Sequence, residues 1–279
     1  MTFEFWRLRF HFHAEESLFF PPGKASNVLR GAFGMMLRET ANAPEYARVF
    51  EPKAQAGPSG LADRPRPFVF RAAHLDGQTI PAGSNFHFDM HLFDTIHPAT
   101  EALQQAYAKL AHAGLGPGRG RATLVSVGQE HFAMPIDGPS EPASRVRVEF
   151  LTPTELKADQ QLAVRPEFPI LFARLRDRIS TLRAFYGPGP LDIDFRAMGE
   201  RAARVTLAHC DLTWHSTQRR SSRTGQTHAI GGFTGHAEYQ AEYDGGLGEF
   251  LPYLRAGQWT GVGRQTVWGK GEICFQVCS

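Results

Sequence analysis

The residues best suited to chemistry lie late in the chain. Gly257-Gln-Trp-Thr-Gly261-Val-Gly263-Arg264-Gln-Thr-Val-Trp-Gly269-Lys270-Gly271 holds five glycines in fifteen residues. Glycine lets a backbone approach a ligand closely and turn its N–H groups toward anionic oxygens. Gly261, Gly263, Gly269 and Gly271, with Arg264 and Lys270 between them, are therefore candidate anion contacts. The segment is not a P-loop, because Gly269-Lys270-Gly271 lacks the Ser or Thr that follows the lysine and the glycines precede a strand. The dinucleotide fingerprint fails for the same reason. A second group, Arg219, Arg220 and Arg223, stands in Thr217-Gln-Arg-Arg-Ser-Ser-Arg-Thr-Gly225 at the expected tip of a hairpin. Basic side chains on such a hairpin track a nucleic-acid backbone or enter a groove.

The twelve histidines supply the acid–base chemistry. His11 and His13 share one strand face, and His87 and His91 share another. No third metal ligand goes with either pair, so no metal site is expected. His13 ends a strand with a cationic face and precedes a helix bearing Arg30, a place for a general acid or base beside a phosphodiester. Gly-x-Ser-x-Gly, His-Glu-x-x-His and Cys-His pairings are absent. His215-Ser-Thr217 is a single His-x-Thr, whereas two-histidine cyclic phosphodiesterases need two.

Composition bounds the possibilities. The 279 residues are 42% apolar and 21% charged with a net charge of +2, which excludes a disordered polyelectrolyte and allows one large or two small domains. Twenty-five of the thirty basic residues are arginine, whose planar fork suits phosphate. Neutrality is an average: residues 1–140 hold thirteen basic and thirteen acidic side chains, while residues 165–223 hold eleven arginines against six acids. Three cysteines imply no disulfide framework, and no apolar run reaches the roughly 20 residues of a membrane span. The expected location is the cytoplasm.

These residues need elements to hold them. Residues 3–13 alternate, with Trp6, Leu8, Phe10 and Phe12 on one face and Arg7, Arg9, His11 and His13 on the other, which predicts a strand. Val28, Leu29, Ala32, Phe33, Met36 and Leu37 predict a helix over 25–39 with Arg30 and Arg38 outside its apolar stripe. A Pro- and Gly-rich excursion at 42–66 leads to strands at 67–71 and 86–92, a helix opened by Pro98, a glycine-studded turn at 114–120 and a strand at 122–127. The order is β-α-β-β-α-β. It recurs as a strand at 145–151, a helix at 169–185, a hairpin of 202–214 and 226–241, a helix at 248–256 and a strand at 266–277. Leu110-Ala-His-Ala-Gly114 before Gly-Pro-Gly-Arg parallels Leu254-Arg-Ala-Gly257 before Gly-Val-Gly-Arg. The expectation is an α+β chain of two tandem ferredoxin-like domains, 1–135 and 144–279, joined by a linker at 128–144.

Several motifs together resemble the CRISPR-associated endoribonucleases that process repeat RNA, the Cas6 family of the RAMP superfamily. They are Asn27-Val-Leu-Arg-Gly-Ala-Phe-Gly34, Tyr46-Ala-Arg-Val-Phe-Glu-Pro52, Pro65-Arg-Pro-Phe68, Ser221-Ser-Arg223 with Ile230-Gly-Gly-Phe233 and Gly235, and the stretch from Phe250 to Gly271. The resemblance implies two ferredoxin-like domains and a metal-independent cut without cofactor. In such a cut the ribose 2′-hydroxyl attacks the adjacent phosphate to leave a 2′,3′-cyclic phosphate and a 5′-hydroxyl. The family's base is often a histidine in or just before the first helix. None stands between Lys24 and Arg38, so the assignment moves to His13, with Lys24 and Arg30 on the phosphate. Arg38, Arg219, Arg220, Arg223 and the glycine-rich segment are the expected RNA contacts. The implied partners are precursor CRISPR RNA with its repeat hairpin and subunits of a CRISPR effector complex, with no membrane. The alternative is a non-catalytic RNA-binding subunit of the same superfamily.

Overall fold

The computed structural model describes residues 1–53, 57–58, 64–138, 141–158, 161–220, 227–243 and 246–278. Its first half runs β1 (Thr2–Ala14), β2 (Leu18–Phe19), α1 (Ala25–Gly31), α2 (Phe33–Thr40), α3 (Ala43–Val49), β3 (Phe68–Arg71), β4 (Thr79–Ile80), β5 (Asn85–Leu92), α4 (Thr100–Ala113) and β6 (Ala122–Pro135). The second runs β7 (Arg145–Thr154), β8 (Lys157–Ala158), β9 (Gln161–Leu162), α5 (Phe168–Tyr186), α6 (Phe195–Ala202), β10 (Thr206–Arg220), β11 (Thr227–Gln240), α7 (Leu251–Thr260) and β12 (Ile273–Cys278). The two four-stranded sheets have the orders β3-β5-β1-β6 and β10-β11-β7-β12. In each, the half's first major strand lies between its third and fourth, the ferredoxin-like arrangement, and the fold class is α+β as expected. No helix among the described residues is long and apolar enough to cross a membrane.

Several elements differ from the sequence expectation. The helix over 25–39 is two, meeting at Ala32. Gly31 and Gly34 both weaken helix propensity there, and Gly34 admits the Phe50 ring against its backbone. The excursion at 42–66 contains α3, started by Asn42, whose side chain accepts from Glu45 N–H while Glu45 returns the bond. The expected linker at 128–144 begins as strand, to Pro135: β6 pairs with β1 from Thr2↔Pro135 to Ala14↔Ala122. The closing strand begins at Ile273, and Thr266–Trp268 forms a 3-10 turn. A short helix, α6, was not anticipated.

Burial along β1 changes face. Leu8, Phe10 and Phe12 lie under the helices with Leu29, Phe33, Leu103 and Tyr107. Phe3 and Phe5 are equally buried, on the opposite face, in the core of the second half. The Phe5 ring lies 5.0 Å from both Phe132 and Trp259. The halves therefore share apolar surface, with aromatic rings of both meeting in one cluster.

The seam is closed by an electropositive clamp on the last turn of α7. Helix ends leave carbonyls without intrahelical donors. Here Arg71 donates to Gln258 O at 2.9 Å and to Trp259 O at 3.0 Å, and Arg178 donates to Thr260 O at 3.0 Å. His91 Nδ1 lies 2.9 Å from Trp259 O, an acceptor, so that nitrogen carries the proton. Burial, reinforced by the Arg71 charge, pushes the His91 pKa down to about 3. Two guanidinium groups at a helix C-terminus also oppose the dipole of α7 favourably.

Candidate nucleic-acid interface

The glycine-rich segment joins α7 to β12 and lies against the first half. Its N–H groups are taken by the protein: Gly261 donates to Gly257 O, Val262 to Gly271 O, Arg264 to Glu155 O, Gly269 to Thr266 O and Gly271 to Pro153 O. The expectation that these glycines offer their amides to an anion is therefore corrected at Gly261, Gly269 and Gly271. Two positions need glycine for packing. At Gly271, φ is +71° and an added Cβ would lie 1.9 Å from Val262 O; at Gly269, φ is +73° and the Cβ would lie 2.1 Å from Ser26 Oγ. Gly269 thus sets the segment directly on α1.

The side chains around this contact are also committed. The Arg30 guanidinium lies 3.5 Å from the Trp268 ring centroid and 5.1 Å from that of Phe50. Arg30 is buried, not outside the helix's apolar face as the spacing predicts. Lys270 is buried too, its pKa lowered by desolvation against the opposing attraction of Asp76. Asp76 accepts from Ala25 N–H at 2.7 Å at the start of α1, and burial raises its pKa. Arg264 is exposed and bound to Glu155 at 3.0 Å. Glu155 also accepts from Gly231 N–H at 3.3 Å, tying the segment to β11. Of the predicted anion contacts here, Arg264 alone combines charge with exposure.

The β10–β11 hairpin is long and register-matched from Thr206↔Gln240 to Arg220↔Thr227. β7 pairs with β11 only between Phe233 and Gln240, so the far part of the hairpin is a two-stranded arm beyond the sheet. Arg219 and Arg220 are on that arm, opposite His228 and Thr227. Arg223 lies outside the described residues. Trp214, 49% exposed, packs edge-on against Phe233 near the root of the arm, a ring available for base stacking.

The predicted catalytic trio does not come together. Leu8, Phe10 and Phe12 face α1 and α4, so His11 and His13 project from the other side of the first sheet. The sheet separates His13 from Lys24, at the start of α1, and from Arg30. On the open face His13 Nδ1 meets Asn85 Oδ1 at 2.9 Å. Its neighbours are His11, whose ring is 5.8 Å from that of His87, and Arg9, held to Asp89 at 2.7 and 2.8 Å. His74 stacks on His87 at 4.8 Å, and burial followed by the His74 charge lowers the His87 pKa. A recess of about 230 Å³ beside His11 is lined by Asn85 and Ser126. Arg38 is exposed on α2, with Tyr46 5.9 Å from its guanidinium. Among the described residues, no group of three or more His, Cys, Asp or Glu is gathered to hold a metal ion.

Sequence spacing missed Arg71, Arg178, Asp76 and Glu155, which hold the two halves and the glycine-rich segment in place. Their partners are remote in sequence: Arg71 and Trp259 are 188 residues apart. His91, grouped with His87 by strand spacing with no metal expected there, closes the end of α7.

Comparison with known proteins agrees with this architecture. Residues 148–273 match the family model for CRISPR-associated endoribonuclease Cas6, and residues 3–137 match a model described as an N-terminal domain. No match was found among curated proteins. The Cas6 (TTHB231) product complex superposes with a TM-score of 0.62 at 16% identity, covering 98% of this chain and 99% of that one. Thermus thermophilus Cas6 (TTHB231) gives 0.58 at 17% identity, covering 99% of each chain. The Cas6 (TTHA0078) product complex gives 0.60 at 19% identity, covering 98% and 99%. At these identities the structural likeness is one of fold, and it runs through both halves while the endoribonuclease model falls on the second. Over residues 148–273 the chain matches the Cas6 family, and its fold through both halves is that of the solved Cas6 structures.

Proposed function

We propose that the chain binds precursor CRISPR repeat RNA, cuts it without a metal ion, and retains the processed product. The observation that carries this reading is the endoribonuclease family match over residues 148–273. The arm bearing Arg219 and Arg220 supports it, since a basic two-stranded arm suits an RNA backbone or groove. So does the division we propose into domains 1–135 and 144–279, two tandem ferredoxin-like units. The proposed partners are the repeat RNA and subunits of a CRISPR effector complex.

The cut is an internal transesterification. The 2′-oxygen loses its proton to a base and attacks phosphorus, and the leaving 5′-oxygen takes a proton from an acid. Two proton-transfer groups are needed on one accessible surface. His11 and His13 meet that need on the open face of the first sheet, two residues apart along a strand and so roughly 7 Å apart. We assign them as the base–acid pair, with Asn85 fixing the His13 ring. Lys24 and Arg30 leave the catalytic group because the sheet stands between them and His13.

Incubating the protein with repeat RNA in EDTA should give one cut per repeat, a 2′,3′-cyclic phosphate and a 5′-hydroxyl. His13→Ala should slow that cut by ~10²-fold or more with RNA affinity retained. An unchanged rate in this variant would remove His13 from the mechanism. One observation favours the second reading, a non-catalytic RNA-binding subunit: Arg30, beside the glycine-rich segment, is packed between Trp268 and Phe50 rather than beside an acid–base group. Tight RNA binding by the unmodified protein with no cleavage under any condition would decide for that reading.

A further inference from the structure

The first half has its own glycine-studded loop, residues 114–120, at the position in chain order that 257–271 occupies in the second. Where the second loop is packed against the other half, the first faces outward. Leu115 and Gly120 bridge its ends, with Leu115 N–H donating to Gly120 O at 2.8 Å. Arg119 is held in the left-handed region at φ +49°, unusual for a residue with a side chain. Across from it lies the outer side of α1, and between them is a cleft of about 370 Å³ lined by Lys24, Asn27, Gly31 and Arg119, among others.

The charges in this cleft are unlike those around it. Most basic side chains nearby are neutralised: Arg121 pairs with Glu16 at 3.0 Å and Lys109 with Glu39 at 3.5 Å. Lys24 and Arg119 are exposed, and among the described residues neither makes an ion pair. Two uncompensated cations and a carboxamide lining one open cleft suit an oxyanion supplied from outside the chain. Location selects the kind of oxyanion. His13 pairs with Thr123, four residues beyond Arg119, so the cleft opens at the same end of the first sheet as the His11–His13 surface. An RNA strand leaving the open face around that end would run toward the cleft.

We propose that the Lys24–Arg119 cleft binds a backbone phosphate of the RNA, flanking the segment that crosses the open face of the first sheet. This rests on the RNA-binding reading above and adds a contact on the far side of the sheet. It also gives Lys24 a role in holding RNA, away from the scissile bond.

The test is fluorescence anisotropy with repeat RNA over a range of salt, comparing the unmodified protein, a Lys24→Gln/Arg119→Gln double variant and Arg204→Gln. Arg204 is likewise exposed and without an ion pair among the described residues, but belongs to the second half. The double variant should bind about five- to tenfold more weakly near ~0.1 M salt. Its slope of log K against log salt should be shallower by about 0.7, the value for one phosphate of a single strand. Arg204→Gln should bind like the unmodified protein. Equal affinity and slope in the double variant would overturn the proposal and leave the RNA reading standing. Equal losses in both variants would overturn it as a general charge effect. Absence of RNA binding by the unmodified protein would overturn the RNA reading itself. Thermal unfolding of the double variant, expected to match the unmodified protein, separates lost contact from lost fold.

Discussion

Gly269→Ala is expected to lower the melting temperature by about 4–20 °C. Two costs combine. An alanine at φ +73° carries the left-handed penalty of about 1–2 kcal/mol, and its Cβ, 2.1 Å from Ser26 Oγ and 2.7 Å from Ser26 Cβ, forces α1 and the glycine-rich segment apart at about 1–3 kcal/mol. At roughly 2–4 °C per kcal/mol for a chain of this size, the sum gives that range. The contact can be isolated because its partner is a single small side chain. Ser26→Gly alone removes the obstructing atoms and costs about 0.5 kcal/mol of helix propensity. In the double variant the overlap is gone and the left-handed penalty remains, so the double-mutant cycle should show a favourable coupling of about 1–3 kcal/mol. Additive effects, or an unchanged melting temperature for Gly269→Ala, would mean that the segment is not seated on α1 as described.

The second large effect is one of pH. His91 is buried, donates to Trp259 O and has a folded pKa of about 3, against the ordinary 6.5 of an unfolded histidine. Above pH 6.5 the ring is neutral in both states and contributes no pH dependence. As pH falls below 6.5, the unfolded chain binds a proton that the folded chain does not. Stability is lost by about 1.4 kcal/mol per pH unit until pH approaches 3, so about 2 kcal/mol is gone by pH 5. His91→Asn keeps an N–H for the Trp259 carbonyl but does not titrate. Urea unfolding between pH 7 and 4.5 should show a shallower acid slope for this variant, by close to one proton. Identical slopes would place the acid sensitivity elsewhere.

Much of the architecture is written in local pattern. The alternation of Leu8, Phe10 and Phe12, the helical spacing of Leu103, Tyr107 and Leu110, and the glycine breaks at 114–120 and 257–271 locate the tandem β-α-β-β-α-β order. The end of β6 is not legible in this way. Residues 128–135 form an edge strand, exposed over 128–131 and half-buried only at Phe132 and Met134, too short an alternation to mark it; its partner, β1, defines it. The catalytic face was half legible. His13 alternates with Phe12, and a helix packed over Phe12 cannot share a side of the sheet with His13. The spacing thus held the correction to the proposed trio, although adjacency along the chain suggested otherwise. The glycine-rich segment shows the converse. Its composition is plain, but the reason for Gly269 is a serine 243 residues earlier, and no local pattern carries that information.

The change of burial along β1 bears on how the chain is made. Phe3 and Phe5 finish in a core with Trp259, and the clamp on α7 needs Arg71 and His91 to wait for Gln258 and Trp259. At typical rates of ~5–20 residues per second, some 250 residues of synthesis separate Phe5 from Trp259, on the order of 10–50 s. The first sheet can assemble over its own helices in that interval, but one end of its opposite face stays greasy and uncovered on the ribosome. Chaperone occupancy of nascent chains would therefore be highest over the stretch that precedes emergence of α7 and would fall once that helix docks.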